Sequence, residues 1–504
     1  MKSFASIDIG SHSIKLKIVQ FDSDGNIEVL EDIRKDIYLG KDSFKNGYIK
    51  TRTIEDAIDI LTYFKKLMND YDVLNYKAVA TSAIREAKNA LFVLDQIFMS
   101  TGFRVSILEE TIEKYLTYHS LSNTIRNYED LKKEGVIIVE AGSGNLEITI
   151  YKNNKLMRNY EVKIGPLRLQ YMLEDSPIVA ENFHEIVEDY IFSSTESIIK
   201  YLKRKNIKNL IAIGGEIKKI RSLFFNNQSE VDTEDFEEFY LALLDKNHKI
   251  EDALFKNSLN YNETLSSYAI FKTFTNVISP KKVLIPSISL RDGIISDYIS
   301  RTLVKIPGED FDKDIIDLAK NIAKRYQSST MHINDLEKKS IKIFNALRPR
   351  YHLPKSSLKL LRVSIILHEI GKFTKMNNYE DASFMKIKNL SILGLSSKDL
   401  NLIGHININS FISNAEEAKI LDSCFSNEEK LLVIKLASIQ NLVDSLDKSK
   451  KQRISIKDIT LKHKKMIITL KHSGNIALEK YFLEKSIHYF QNTFGLKLVI
   501  QEVD

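Results

Sequence analysis

Two short stretches bring together the residue types needed to grip a phosphate group. Gly135 to Ile150, GVIIVEAGSGNLEITI, is an apolar run that reaches Glu140, turns through Gly142, Ser143, Gly144 and Asn145, and resumes past Glu147 as an alternating strand. Glycine has no Cβ, so the backbone at Gly142 and Gly144 is free to take positive φ and to turn its N–H groups toward an anion. Glu140 and Glu147 flank the bend and are placed to hold a cation. An ordinary glycine hairpin is the plain alternative. A second bend of the same kind near the start of the chain joins Asp8, Gly10, Ser11 and Ser13. It offers a carboxylate, a permissive backbone and two hydroxyls, a set able to accept a phosphate or to orient metal-bound water.

Other residues have chemistry to offer but also an ordinary explanation. Arg85 follows a strand end and a helix start in Tyr76 to Asn89, where Thr81 or Ser82 is expected to cap the helix and Arg85 to meet an oxyanion or a surface carboxylate. Glu109, Glu110 and Glu113 open a helix, as the helix dipole favours, and the spacing puts Glu110 and Glu113 on one face. Gly214 and Gly215 end a short apolar strand, either as a structural turn or as a phosphate contact.

The elements that must position these residues read as follows. Residues 4–21 form strand, bend and strand, followed by the turn Asp22–Asn26 and a third strand. A helix over 51–69, a strand over 76–80, a strand at 103–108 and a helix over 109–121 complete a first α/β lobe. The hairpin at 136–150 begins a second lobe of similar plan, so a cleft is expected between them. With 504 residues, 43% apolar and 28% charged, the chain has room for about three domains. Its 18 Gly and 7 Pro leave no long flexible linker. The single cysteine, Cys424, excludes an internal disulfide and suits a reducing cytoplasm, and no run of 18 apolar residues is present to cross a membrane. The balance of 73 basic to 67 acidic residues is too even to argue for nucleic acid.

DIGSHSIKL, ATSAIREAKN, the acidic helix start, the glycine bend after a carboxylate, Ile211-Ala-Ile-Gly-Gly-Glu216 and Leu290-Arg-Asp-Gly293 occur in one order. In that order they resemble the exopolyphosphatase/guanosine pentaphosphate phosphohydrolase (Ppx/GppA) family. The resemblance implies an α/β fold with two ribonuclease-H-like lobes of the actin-like and sugar-kinase superfamily, at 1–126 and 127–306. It implies a Mg²⁺-dependent phosphohydrolase that releases terminal phosphate from inorganic polyphosphate or guanosine pentaphosphate, in a cytoplasmic homodimer. A catalytically weak binding protein on the same scaffold is the alternative. By the same resemblance Glu113 is the catalytic base, with Glu110 as the other possibility. Asp8, Gly10, Ser11, Ser13, Arg85, Gly142, Ser143, Gly144, Asn145, Gly214 and Gly215 contact phosphate, and Asp8, Glu140 and Glu147 ligate the metal. The chain departs from the family pattern close to this chemistry. Glu140 replaces an Asp, Ser143 a Gly, and Asn145 with Leu146 two hydroxyl residues. Glu109-Glu110-Thr-Ile-Glu113-Lys114 stands where Ser-Gly-x-Glu-Glu-Ala is common.

Pro307-Gly308 is the expected domain boundary. Beyond it, His332, His368-Glu369 and Asp444 with Asp447 resemble a helical HD-type domain over 307–452. Glu369 replaces the usual Asp, Ala382 stands where a further His is common, and His405 is out of register. The expected role is a scaffold that extends the substrate channel. Residues 453–504 read as a ββαβ module.

Overall fold

The computed structural model describes residues 2–125, 127–173, 183–303, 311–412 and 425–503. The expected boundary at 307–308 and Cys424 lie outside them. The chain divides into two compact units, Met1–Glu309 and Asp310–Asp504.

The first unit holds both α/β lobes. Strands β1 (Lys2–Ile9), β2 (Ser13–Phe21), β3 (Ile27–Asp36), β4 (Tyr76–Ala80) and β5 (Val105–Ile107) form one sheet in the order β3-β2-β1-β4-β5. Strands β6 (Val136–Ala141), β7 (Leu146–Lys152), β8 (Lys155–Val162), β9 (Asn209–Gly214), β10 (Glu230–Asp232) and β11 (Lys282–Leu284) form the other, β10-β11-β9-β6-β7-β8. Both lobes run the same plan. A three-stranded antiparallel meander is flanked, beside its first strand, by a parallel strand that ends in a helix: β4 runs beside β1 into the helix Ser82–Glu86, and β9 beside β6 into Gly215–Phe224. The unbroken apolar runs of β1 and β6 follow from this, because a strand covered on both faces has no polar side to alternate with. Ile7, Ile9, Ile137 and Val139 are fully buried.

The lobes form one unit because the chain returns. The helix Leu290–Thr302 leaves the second lobe and packs on β1 and on the helix Glu110–His119. Its Ile294, Ile295 and Ile299 share a core with Phe4, Val19, Phe21, Leu108 and Leu116, and Tyr298 stacks on Phe4 with ring centroids 3.9 Å apart. Gly293 lies at the crossing: a Cβ there would stand 1.7 Å from the carbonyl oxygen of Leu116. The glycine of the Leu290-Arg-Asp-Gly motif is thus demanded by helix approach.

Among the described residues of the second unit, six α-helices and the short 3-10 helix Ile370–Phe373 lie between Phe311 and Ser445. Ser396 with Asp399, and Ser426 with Glu429, form capping boxes that open two of them. The chain then closes with β12 (Ile454–Lys462), β13 (Lys465–His472), the helix Ala477–Phe494 and β14 (Lys497–Val503), which pairs in parallel with β13. Helix Thr330–Tyr351 packs on β12, and Asn427–Ser445 on Ala477–Phe494, so the helical region and the small sheet form one body. Among the described residues no helix is long and apolar enough to cross a membrane.

Candidate active site

Each lobe presents its hairpin bend to one cavity of about 530 Å³. In the first hairpin the register pairs Ile9 with Ile14 and Asp8 with Lys15, and the Gly10 N–H closes the bend on the Ser13 carbonyl at 3.0 Å. In the second, Ala141 pairs with Leu146 and Glu140 with Glu147, and the Gly142 N–H donates to the Asn145 carbonyl at 2.9 Å. The two bends are built alike, but none of Gly10, Gly142 and Gly144 adopts the left-handed conformation expected for Gly142 and Gly144. Space is the constraint at Gly144, where a Cβ would stand 2.8 Å from the Phe44 ring. Gly165 fills the same role behind the second bend, with the Gly142 carbonyl oxygen 2.4 Å from its would-be Cβ.

Helix Glu110–His119 carries the acidic face toward the cavity. Arg85 donates Nη1 to Glu113 Oε2 at 3.1 Å and to the Leu108 carbonyl at 2.7 Å, and Nη2 to Glu110 Oε1 at 3.0 Å. One guanidinium therefore fixes both glutamates, and the spacing that puts them on one face is seen here as a shared partner. Burial lowers the Arg85 pKa, but the charges of Glu113 and Glu110 outweigh it and the net shift is upward. The Glu113 side chain keeps 27% of its exposure on the cavity side. Burial raises its pKa against the pull of Arg85, with the negative charges of Asp8 and Glu110 adding to the rise. Glu110 also accepts a hydrogen bond from Asn145 Nδ2, and its carboxylate neighbours that of Glu161 of β8. Burial and the adjacent Glu110 raise Glu161 to about 7.

Thr81 stands at the N-cap of Ser82–Glu86, but its side chain makes no capping bond, and the Ser82 hydroxyl lies 2.9 Å from that of Ser11 across the cavity wall. The expected cap does not form, because the Ser82 hydroxyl is spent on this contact between the helix start and the first bend.

The expected metal ligands, Asp8, Glu140 and Glu147, all line the cavity. Two of the three are already engaged by ammonium groups: Lys15 Nζ lies 3.2 Å from Asp8 Oδ2, and Lys114 Nζ 3.0 Å from Glu147 Oε1. Burial raises the Glu147 pKa, with Lys114 opposing it, and raises Glu140 to about 8, with Glu113 adding to the rise and Lys114 opposing it. The residues present therefore do not fit a divalent ion held by these three carboxylates. Oxygens Oε2 of Glu140 and of Glu147 are buried without a hydrogen-bond partner, and Lys114 Nζ meets Glu147 as an ion pair without hydrogen-bond geometry.

On the opposite wall, Gly214 packs flush: a Cβ would stand 2.7 Å from the Ala141 carbonyl oxygen. A Cβ on Gly215 meets nothing within 4 Å, so the start of helix Gly215–Phe224 opens onto the cavity. His12 Nδ1 lies 3.6 Å from Glu263 Oε1 on the same side. Arg291 donates to Asp32 Oδ1 at 2.6 Å and to the Leu16 carbonyl at 2.8 Å. All the expected residues except Gly10 and the alternative base Glu110 are lining residues of the cavity.

Three contacts escaped the sequence because they join residues far apart in the chain. Lys114 reaches Glu147, Glu161 reaches Glu110, and Arg168 of the second lobe reaches Glu86 of the first. Arg168 Nη2 lies 2.7 and 2.8 Å from the two Glu86 carboxylate oxygens, its Nε donates to the Gly144 carbonyl at 2.7 Å, and its guanidinium lies over the Phe44 ring. This clamp ties the second bend to the first lobe. The only signal in the sequence is an Arg shortly after Gly165-Pro.

In the second unit, His332, His368 and Glu369 each offer one ligand atom, all within 4.8 Å of one another. His332 Nδ1 lies 2.7 Å from Asp447 Oδ2. The Nε2 atoms of both histidines are buried without a hydrogen-bond partner and lie 3.6 and 3.9 Å from Asp444 Oδ1. Lys372 and Lys450 bind Glu369, and Lys448 binds Asp444. Each of these carboxylates is thus capped by lysine. Ala382 and His405 take no part in the three-residue cluster.

A match to the Ppx/GppA phosphatase family extends over residues 18–302. The chain belongs to the Ppx/GppA phosphatase family. The matched span covers the hairpin bend of the second lobe, Arg85 and Glu113, and begins after the first bend. Over 418 residues the chain is 19% identical to the guanosine-5'-triphosphate,3'-diphosphate pyrophosphatase of Photobacterium profundum, covering 80% of this chain and 79% of that protein. Over 171 residues it is 27% identical to the bifunctional 3-dehydroquinate synthase/phosphatase of Fusobacterium nucleatum. That match covers 33% of this chain and spans only about a quarter (25%) of the relative's length. Among solved structures, an exopolyphosphatase from Cytophaga hutchinsonii aligns with a TM-score of 0.52 at 16% identity, over 60% of this chain and 98% of that one. This likeness shows the Ppx/GppA fold, an α/β arrangement of two mixed sheets, in the first unit.

Proposed function

We propose that this Ppx/GppA chain is a phosphoanhydride hydrolase that releases terminal phosphate from inorganic polyphosphate or, as a second substrate, guanosine pentaphosphate. The observation that carries this reading is the convergence of two like-built hairpin bends and Glu113 on one cavity. The lobes are read as ribonuclease-H-like halves of the actin-like and sugar-kinase superfamily, supported by their common strand plan. Water attacks the terminal phosphorus, its proton passes to the Glu113 carboxylate, and the bridging P–O bond breaks toward the remaining chain. A base with a raised pKa accepts that proton more readily near neutral pH. Arg85 holds Glu113 and Glu110 in place, and the bend backbones 10–13 and 142–145 face the nonbridging oxygens. Glu110, hydrogen-bonded to Asn145 and Glu161, is the less available of the two glutamates as base.

A second reading, a polyphosphate- or nucleotide-binding protein of weak activity, is favoured by one observation: Arg85 is bonded to both glutamates, which leaves less of it to grip an oxyanion. The test is phosphate release by the purified chain from inorganic polyphosphate, guanosine pentaphosphate and a nucleoside triphosphate. Release from either of the first two supports hydrolysis. Measurable binding with no release from any supports the second reading. Release from the nucleoside triphosphate alone contradicts both.

A further inference from the structure

In each lobe the carboxylate that precedes the bend faces the opposite strand. In the first hairpin Asp8 finds Lys15 directly across, and the pair closes at 3.2 Å. In the second the register sets Glu140 against Glu147, two carboxylates on one face of neighbouring strands. Like charges so placed destabilise a hairpin. Glu147 and the Glu140 Oε2 atom are buried, so water offsets little of the repulsion. A cation or a bound proton must offset that repulsion, and the chain places a cation there. Lys114 extends from the helix Glu110–His119, is fully buried, and brings its Nζ to 3.0 Å from Glu147 Oε1. The position one residue after Glu113 is where the family pattern commonly carries alanine, which cannot enter the site.

We infer that Lys114 is the resident cation of the second bend, standing where a divalent metal would otherwise be held, so that this chain meets its phosphorylated ligand without a protein-bound metal ion. The inference rests on reading the cleft as a phosphate site. Three features support it. The Lys114 side chain is 1% exposed, so the ammonium has no solvent to swing into. Its helix is pinned from behind by the contact of Gly293 with Leu116, so the lysine cannot withdraw with the backbone. A divalent ion placed at the same carboxylates would sit a few ångströms from the ammonium in a site that excludes water, where positive charges repel strongly. Both bends are then compensated in the same way, each by its own lysine.

The test counts Mn²⁺ sites by electron paramagnetic resonance on the metal-stripped full chain, titrated to about 1 mM, the weak end of protein cation sites. Four proteins are compared: the natural sequence, Glu147→Gln, Lys114→Ala and the double variant. Any ion held by the histidine cluster of the second unit is common to all four and cancels. The expected result is no Mn²⁺ site sensitive to Glu147→Gln in the natural sequence, and one new site in Lys114→Ala that the double variant loses. A natural-sequence site that disappears with Glu147→Gln overturns the inference, as does a folded Lys114→Ala that gains none. Lys114→Met, closer in volume, replaces the alanine variant if the latter does not fold, and the comparison of the natural sequence with Glu147→Gln needs no change at 114. A parallel titration with tripolyphosphate in EDTA separates the two claims. Binding there is expected, and in Lys114→Ala it should fall at least tenfold and recover with added Mn²⁺. Absence of tripolyphosphate binding under every condition removes the phosphate-site reading while leaving the Mn²⁺ count to stand. Binding by the natural sequence only when Mn²⁺ is present overturns the role of Lys114.

Discussion

Gly293→Ala tests whether the active-site helix is held in place by close helix packing. The added Cβ would stand 1.7 Å from the Leu116 carbonyl oxygen, 2.3 Å from its carbon and 3.1 Å from the Thr117 nitrogen. All of these are backbone atoms, so no side-chain rotation relieves the clash. Since Cβ contacts under 3.0 Å essentially do not occur, the helices must part by about 1.3 Å in a tightly packed core. Overpacking of this kind costs about 1–3 kcal/mol. Glu113 lies one turn before Leu116 on the moving helix, and its partner Arg85 lies on another element. A displacement of about 1 Å at a positioned catalytic group reduces rate by about 10²-fold. The assay is phosphate release from inorganic polyphosphate alongside thermal unfolding of the same preparation. The expected outcome is a lower melting temperature with a large loss of kcat in the protein that remains folded. Turnover within twofold of the natural sequence at unchanged melting temperature would refute the packing argument.

Other outcomes follow from the same contacts. Arg168→Lys should lower stability by about 1–3 kcal/mol in chemical denaturation, because a single ammonium cannot stand at once where Nη2 meets the Glu86 carboxylate and where Nε meets the Gly144 carbonyl. Asp447→Asn should destabilise the second unit by about 3–5 kcal/mol, since it removes the charge facing the buried His332 ring. A change below about 0.5 kcal/mol would show that the pair is replaceable. The Glu161–Glu110 pair gives a pH signature. Glu161 binds its proton more tightly folded than unfolded, rising from 4.5 to about 7. Its contribution is therefore fully present below the unfolded value and is lost as pH rises through about 7. Melting temperature should show a downward step in that window that Glu161→Gln removes, and an identical profile in the variant would refute the upward shift of Glu161.

Much of the architecture is legible in local sequence. The unbroken apolar runs before Glu140 and Asp8, each followed by a glycine bend, announce buried strands that end in hairpins, and both hairpins form there. The motifs along the chain supply much of the cavity wall, while Asp32, Arg34 and Glu263 join it from outside them. The unreadable parts are those that depend on distant neighbours. Gly144 looks like a positive-φ glycine and is instead required by the Phe44 ring, 100 positions earlier in the chain. Thr81 and Ser82 have the composition of a cap, but the Ser82 hydroxyl is taken by Ser11. Lys114 stands in the sequence only as a departure from the family pattern, and its burial against Glu147 of the second hairpin is a matter of tertiary packing. The charge logic of the site, in which lysines compensate carboxylates across elements, is a tertiary property with no periodicity to betray it.

The central claim is that Glu113 is the base of a phosphoanhydride cleft. The most direct measurement is the rate of phosphate release from inorganic polyphosphate by the natural sequence and by Glu113→Gln, with matched far-ultraviolet circular dichroism. The account predicts measurable release by the natural sequence and a loss of about 10²- to 10⁴-fold in the folded variant. Full activity in Glu113→Gln would contradict it.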